Sequence, residues 1–219
     1  MNPYKFCFIM CSNNPQYEHE CIKYINSLTI PEGYEIEIKV IRDAASITSG
    51  YNRGMLSSDA KYKIYLHQDT FIINKDFLNC LLKGFNDEAN GMIGIIGTPQ
   101  LDPSCVMWLG NRVGKLVSNC IYHTVKAAIG EITSPTEVEA IDGLLMATQY
   151  DIPWREDIFK GWDYYDISQS FEFRKAGYKV MVLPADEPWC FHDDGILELS
   201  EYYKTRDIFM QEYSDMLSC

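Results

Sequence analysis

A histidine and an aspartate close one apolar stretch of this 219-residue sequence. Residues 63–66 read Lys-Ile-Tyr-Leu, and His67, Gln68 and Asp69 follow directly. The apolar residues predict a buried strand, and side chains two positions apart leave a strand on the same side. Ligands bind at the carboxyl ends of strands in open α/β sheets. A carboxylate with an imidazole two residues earlier is suited to hold a divalent cation against a diphosphate, although a strand running into a polar turn gives the same pattern.

The first hundred residues predict four strands that alternate with three helices. The strands are expected near 4–11, 36–41, 62–67 and 92–98. The helices are expected over 16–28, after the Gly-Tyr-Asn-Arg-Gly turn at 50–54, and over 74–86. Such an alternation predicts a mostly parallel sheet covered by helices.

The rest of the chain is less regular. The segment 100–137 has no clean period and predicts loops with short strands, and 137–148 predicts a strand interrupted at Asp142-Gly143. A helix over 166–176 closed by Gly177 and a strand over 178–183 are expected next.

A helical tail is expected over 198–217. An isolated helix of this length is marginal in water, so its apolar face should pack on the domain or on a second copy, as a homodimer. That face comprises Tyr202, Phe209, Tyr213 and Met216.

Composition restricts the classes of partner. The chain has 19 basic and 31 acidic residues, a net charge of −12. This argues against nucleic acid and anionic membrane surfaces, which call for basic patches. An anionic substrate requires a metal ion or a local basic cluster to offset the field.

The eight cysteines show no metal-type spacing, and the N-terminus shows no leader pattern. No apolar run approaches the 18 residues of a membrane span. Reduced cysteines and the lack of a signal predict a cytoplasmic protein.

The assembled order resembles the GT-A fold of nucleotide-sugar-dependent glycosyltransferases, particularly the large family 2 type. His67-Gln68-Asp69 stands where such enzymes show an acidic D-x-D motif, and Tyr165-Asp166 where they show an E-D pair. His192, after the last core strand, matches a metal-binding histidine of several GT-A enzymes. The segments Y-L-H-Q-D, I-D-G-L and G-W-D-Y-Y-D-I are most similar to the glycosyltransferase-like branch named after a streptomycin-biosynthesis protein.

The resemblance implies a single α/β domain over 1–195, with the tail over 196–219. It implies an inverting transferase that moves a sugar from a nucleoside-diphosphate sugar to a saccharide or other hydroxyl acceptor. Asp69 and His192 are the expected ligands of Mn²⁺ or Mg²⁺, which prefer oxygen ligands and keep sites for phosphates.

Asp166 is the expected general base, because transfer with inversion needs a carboxylate to take the acceptor's proton. It also stands where a helix N-cap belongs, so capping is the alternative role. Asp163 is the second candidate for the base.

Donor-binding residues are expected at the ends of the first strands and in the loops. Ser12 and Asn13 follow the first strand, and Asp43 follows the second. The further candidates for the nucleotide, the donor sugar or the acceptor are Asn52, Arg53, His67, Asp142, Trp108 and Trp162.

Two other functions compete with this interpretation. His67 in place of an acid is consistent with a degenerate domain that binds a nucleotide sugar, or only a protein partner, without turnover. A nucleotidyltransferase would need a glycine-rich phosphate loop after the first strand, and residues 11–15 contain no glycine.

Overall fold

The computed structural model of the chain describes residues 1–120, 123–195 and 199–217. Its strands are, in chain order, β1 (Asn2–Cys11), β2 (Glu35–Ile41), β3 (Ala60–Leu66), β4 (Thr70–Ile72), β5 (Asn90–Gly94), β6 (Ile96–Thr98), β7 (Val113–Cys120), β8 (His123–Gly130), β9 (Thr136–Glu137), β10 (Ala140–Ile141), β11 (Leu145–Thr148), β12 (Lys179–Val182) and β13 (Cys190–Gly195). Its α-helices are α1 (Pro15–Asn26), α2 (Ile47–Leu56), α3 (Phe77–Gly84), α4 (Tyr165–Lys175) and α5 (Tyr202–Glu212).

The central sheet has seven strands in the order β2-β1-β3-β11-β5-β12-β9. β1 lies parallel to β2 and β3, and β5 lies parallel to β12. Only β11 and β9 run in the opposite direction within this sheet. The predicted mostly parallel α/β architecture is therefore confirmed, with β11 inserted antiparallel between β3 and β5.

A second sheet, in the order β10-β6-β7-β13-β4 with β8 on β7, was not expected from the sequence. The apolar run 92–98 divides at Ile95, because β5 joins the central sheet and β6 joins the second one. Residues 113–120 and 123–130 each form an eight-residue strand, in a region where the sequence predicts loops with short strands. Hydrogen-bonded pairing with strands distant in sequence determines that this region forms strands, because strand propensity depends strongly on context.

Helices α1 and α2 begin at side-chain caps directly after the first two strands. Asn14 accepts hydrogen bonds from the backbone of Gln16 and Tyr17, and Ser46 forms a capping box with Ser49. Helix α2 includes the segment predicted as a turn at 50–54. Gly54 is required there, since a Cβ atom at this position would overlap Ile9 of β1.

Helix α5 buries its aromatic face on α4. Tyr202, Phe209 and Tyr213 are buried, and the rings of Phe209 and Phe171 lie 5.1 Å apart. The apolar face predicted for the tail is thus covered within the same chain. The predicted domain boundary at 195/196 adjoins residues 196–198, which lie outside the described residues. Within the described ranges, no helix has the length and apolar character needed to cross a bilayer.

Candidate functional site

A cleft of about 400 Å³ lies at the carboxyl ends of β1, β2 and β3. This is the edge of the sheet at which α/β proteins bind ligands. The described residues that line it are Cys11, Ser12, Asn13, Ile41, Arg42, Ala44, Ile47, Tyr51, Leu66, His67, Gln68, Asp69 and Trp162.

His67, Asp69 and His192 converge at this edge. Strand β13 pairs with β4 and places His192 opposite Thr70, next to Asp69. Nε2 of His192 lies 3.4 Å from Oδ1 of Asp69 and 3.4 Å from Nδ1 of His67. Nδ1 of His67 lies 3.9 Å from Oδ1 of Asp69. One ligand atom from each residue lies within 4.8 Å of the others, close enough for one metal ion.

The chemistry of the three residues fits a divalent cation. Oδ1 of Asp69 is buried and has no hydrogen-bond partner in the described part of the chain. Burial alone raises the pKa of Asp69, but His192 and His67 outweigh it, and the net shift is downward. Burial and His192 lower the pKa of His67, so its imidazole is neutral at pH 7. Two imidazoles and a carboxylate suit Mn²⁺ better than Mg²⁺, which prefers oxygen ligands.

Two backbone donors hold the carboxylate of Asp166, which follows Tyr165 and is not among the residues that line the cleft. Its two carboxylate oxygens accept the N–H of Gly143 at 2.9 Å and of Ile167 at 2.8 Å. Burial, together with the neighbouring carboxylate of Asp142, raises the pKa of Asp166 to about 7. A raised pKa of this kind is typical of a carboxylate that accepts a proton during catalysis.

The capping alternative for Asp166 needs a correction. The N-cap position of α4 is Tyr164, in the left-handed conformation with φ of 59°, and Asp166 lies in the first turn. Because one oxygen of Asp166 binds Gly143, a residue far away in the sequence, the carboxylate links α4 to the loop between β10 and β11.

Ser12 and Asn13 line the cleft, and hydrogen bonds with Gln68 fix them there. Oε1 of Gln68 accepts hydrogen bonds from Oγ of Ser12 and from the backbone N–H groups of Asn13 and Asn14, at 2.9–3.1 Å. Its Nε2 donates to Oδ1 of Asn13 at 2.7 Å. The residue between His67 and Asp69 therefore shapes the loop that follows β1.

Three of the predicted nucleotide ligands do not line the cleft. Asp43 and Arg53 pair with each other at the surface at 2.6 Å. Asn52 is buried, and its side chain exchanges two 2.9 Å hydrogen bonds with the backbone of Trp154. Asn52 and Arg53 are consecutive residues of helix α2 and point in different directions, whereas the sequence places both of them in a turn at 50–54.

Three other candidates differ in exposure. Trp162 lines the cleft and is 54% exposed, so it is accessible to a sugar in the cleft. Asp163 lies on the adjoining loop, and burial and Glu201 raise its pKa. Trp108 packs on Tyr202, with ring centroids 4.6 Å apart, and is not among the lining residues.

The sequence interpretation missed two neighbours of His67. The hydroxyl of Tyr165 forms a hydrogen bond with Nε2 of His67. Gly143 leaves the room that this hydroxyl occupies. Both residues lie in segments that the sequence singled out, I-D-G-L and G-W-D-Y-Y-D-I, but their contact depends on long-range folding.

Solved structures share this fold. The structure of S. aureus TarS matches with a TM-score of 0.60 at 10% sequence identity, over 98% of this chain and 40% of the TarS chain. TarS 1-349 in complex with UDP-GlcNAc matches with a TM-score of 0.61 at 10% sequence identity, over 98% of this chain and 68% of the TarS fragment. The mannosyltransferase PcManGT from Pyrobaculum calidifontis, in complex with GDP-Man and Mn²⁺, matches with a TM-score of 0.57 at 12% sequence identity. The match covers 98% of this chain and 64% of the mannosyltransferase chain. The chain thus spans less than half of full TarS, and these likenesses establish the fold.

Among curated proteins, none matches the sequence. The model of a glycosyltransferase-like family does match, over residues 7–213. Since this range takes in nearly the whole sequence, with all the residues of the cleft, the chain belongs to the glycosyltransferase-like family.

Proposed function

We propose that this chain transfers a sugar from a nucleoside-diphosphate sugar to a hydroxyl acceptor, with inversion at the anomeric carbon. The observation that carries the proposal is the convergence of His67, Asp69 and His192 beside the cleft. Structures of similar fold hold UDP-GlcNAc in TarS, and GDP-Man with Mn²⁺ in the mannosyltransferase, which supports this class of donor.

Asp69, His67 and His192 would hold the cation, with Mn²⁺ favoured over Mg²⁺. When bound, the ion offsets the charge that develops on the departing diphosphate. The chain needs such a charge: among the described lining residues Arg42 is the one Lys or Arg, and it pairs with Glu18 at 2.5 Å.

Asp166 is the proposed base. As the acceptor oxygen attacks the anomeric carbon, its proton passes to a carboxylate oxygen of Asp166 while the bond to the diphosphate breaks. The backbone N–H groups of Gly143 and Ile167 fix the carboxylate during this step. A pKa of about 7 makes this group a stronger base than an ordinary aspartate. Asp163 is the second candidate.

Four further residues are proposed to contact the substrate. Ser12 and Asn13 would contact the nucleotide, and Trp162 would stack on a sugar ring. Asp142 lies beside Asp166 and would meet the donor sugar or the acceptor. We propose a hexosyl donor and a saccharide acceptor, because the sequence resembles GT-A glycosyltransferases and Trp162 is exposed in the cleft.

The proposed base is tested with a panel of nucleoside-diphosphate sugars and Mn²⁺, by measuring release of the nucleoside diphosphate. Asp166→Asn removes the basic oxygen pair and should lower turnover by about 10²–10⁴-fold. Asp163→Asn, on the loop before α4, tests the second candidate and should keep most of the activity. If Asp166→Asn retains more than about a tenth of the wild-type rate, while Asp163→Asn does not, the base is Asp163.

The same assay separates the competing functions. A degenerate domain would bind the donor and release nothing, and a nucleotidyltransferase would release pyrophosphate from a nucleoside triphosphate. His67 in place of an acid does not by itself favour the degenerate domain, because its ring lies with Asp69 and His192 in an arrangement that could hold a metal ion.

Four further expectations stay predictions. They are membership of the streptomycin-named branch, the domain division at 195/196, a cytoplasmic location, and a homodimer through α5. The cysteines with described side chains are all free, in keeping with a reducing compartment. A dimer through α5 would have to use its outer residues Tyr203 and Ile208, because the aromatic face is already buried.

A further inference from the structure

The hydroxyl of Tyr165 occupies a position that several neighbours define. Its ring lies against Tyr51 and Trp154, with centroids 6.0 and 6.2 Å away. A Cβ atom at Gly143 would overlap the hydroxyl and the adjoining ring carbons, so only glycine leaves room for it. The hydroxyl therefore has little freedom to move away from His67.

This hydroxyl contacts one nitrogen of His67 and leaves the other for the cluster. Nε2 of His67 is hydrogen-bonded to the hydroxyl of Tyr165. Nδ1 of His67 lies 3.4 Å from Nε2 of His192 and 3.9 Å from Oδ1 of Asp69. A neutral imidazole carries one N–H and one lone pair. For Nδ1 to offer its lone pair to a cation, the proton must be on Nε2, where it is donated to the Tyr165 oxygen.

The backbone adds a second constraint on His67. Its N–H donates to the carbonyl of Leu144 at 3.1 Å, in the same I-D-G-L segment that supplies Gly143. Gly143 in turn donates to Asp166 at 2.9 Å. One loop thus contacts the histidine, the tyrosine and the proposed base.

We propose that Tyr165 is a positioning residue: its hydroxyl holds His67 in the Nε2–H tautomer and turns Nδ1 towards Asp69 and His192. The inference rests on the proposed cation site but not on sugar transfer. Gly143 takes part in the same arrangement. It has no side chain that would overlap the Tyr165 hydroxyl, and its N–H donates a hydrogen bond to Asp166. Partners of metal-bound histidines commonly act in this way.

The first test compares Tyr165→Phe with Tyr164→Phe by titration with Mn²⁺ alone, following free Mn²⁺ by electron paramagnetic resonance. Each variant loses one buried hydroxyl, but that of Tyr164 donates to the carbonyl of Cys105 and does not touch His67. Tyr165→Phe should weaken Mn²⁺ binding by about 10- to 100-fold, and Tyr164→Phe by less than about twofold. Equal affinities in the two variants, or no Mn²⁺ binding by the wild type, would overturn the proposal.

The second test reads the tautomer of His67 without metal, from its imidazole nitrogen shifts in nuclear magnetic resonance. The wild type should show the Nε2–H form, and Tyr165→Phe a mixture of both forms. A wild-type Nδ1–H form would refute the role of Tyr165. Neither test uses donor or acceptor, so a chain that passes both but transfers no sugar contradicts the proposed function alone.

Discussion

The carboxylate of Asp166 sets the pH range of the proposed reaction. Burial and Asp142 raise its pKa to about 7, and only the ionised form accepts a proton. We therefore expect kcat/KM to rise about tenfold per pH unit below pH 7 and to level off above pH 8. Initial rates from pH 5 to 9 at saturating Mn²⁺ test this. A rate independent of pH between 5 and 7 would exclude Asp166 as the base.

The same carboxylate should reduce stability as it ionises. Its folded pKa of about 7 lies above the ordinary value of 3.8, so the folded state holds the proton more tightly than the unfolded state. The resulting stabilisation is complete below pH 4 and is lost as the pH rises to 7, by up to about 4 kcal/mol. Denaturant unfolding of the wild type and of Asp166→Asn measures this effect. Between about pH 4 and pH 7 the free energy of unfolding of the wild type should fall relative to that of Asp166→Asn. A constant difference would mean an ordinary pKa.

At single residues, the sequence was informative where the chemistry is local. His67 and Asp69 are two positions apart on one strand end, and periodicity places them side by side. His192 lies more than a hundred residues away and meets them only because β13 pairs with β4. Asn52 and Arg53 were misplaced because a glycine-containing segment predicts a turn, whereas here its glycines let a helix pack closely on β1.

At the scale of elements, the loop after β1 depends on Gln68. This side chain makes four hydrogen bonds with Ser12, Asn13 and Asn14. Gln68→Ala should free the loop and weaken nucleoside-diphosphate affinity by about 5- to 30-fold, because ordering it on binding costs about 1–2 kcal/mol. Calorimetry against Gln211→Ala, an exposed glutamine on α5, provides the comparison. Equal affinities in the two variants would remove the loop from the nucleotide site.

Helix α5 should contribute strongly to stability through one buried ring. Phe209 is fully buried between α5 and α4, whereas its neighbour Ile208 is 45% exposed. Phe209→Ala should lower the free energy of unfolding by about 3–5 kcal/mol, and Ile208→Ala by about 0.5 kcal/mol or less. Urea unfolding distinguishes them. Similar losses would indicate that α5 does not pack on α4 in solution.

The hydrophobic periods of elements up to β5 were readable because each strand and helix follows a local pattern. The aromatic spacing of α5 likewise predicted a buried face. The length and the pairing of β7 and β8 were not predicted, because the Gly, Ser and Asn residues of β7 form a strand only through pairing within the second sheet. Reversed β11 could not be foreseen either, since strand direction leaves no mark on a short apolar run.

For the whole molecule, charge decides what the cleft requires. A chain with a net charge of −12 repels a diphosphate, and the cleft places Asp69 close to where its phosphates would lie. A cation held by His67, Asp69 and His192, as we propose, would offset that repulsion at the ends of β3, β4 and β13. The fold, shared with TarS and the mannosyltransferase, supplies the edge of the sheet, and these three side chains form the proposed cation site.

The most direct test of this account is calorimetric titration with UDP and GDP, with and without Mn²⁺. Wild type should bind at least one of them far more tightly with Mn²⁺, and Asp69→Ala should lose that gain while keeping its melting temperature. Asp59→Ala, at the opposite end of the same strand and exposed, is the control and should behave as wild type. If Asp69→Ala binds the nucleotide as tightly as wild type in Mn²⁺, the cation site is not where we place it.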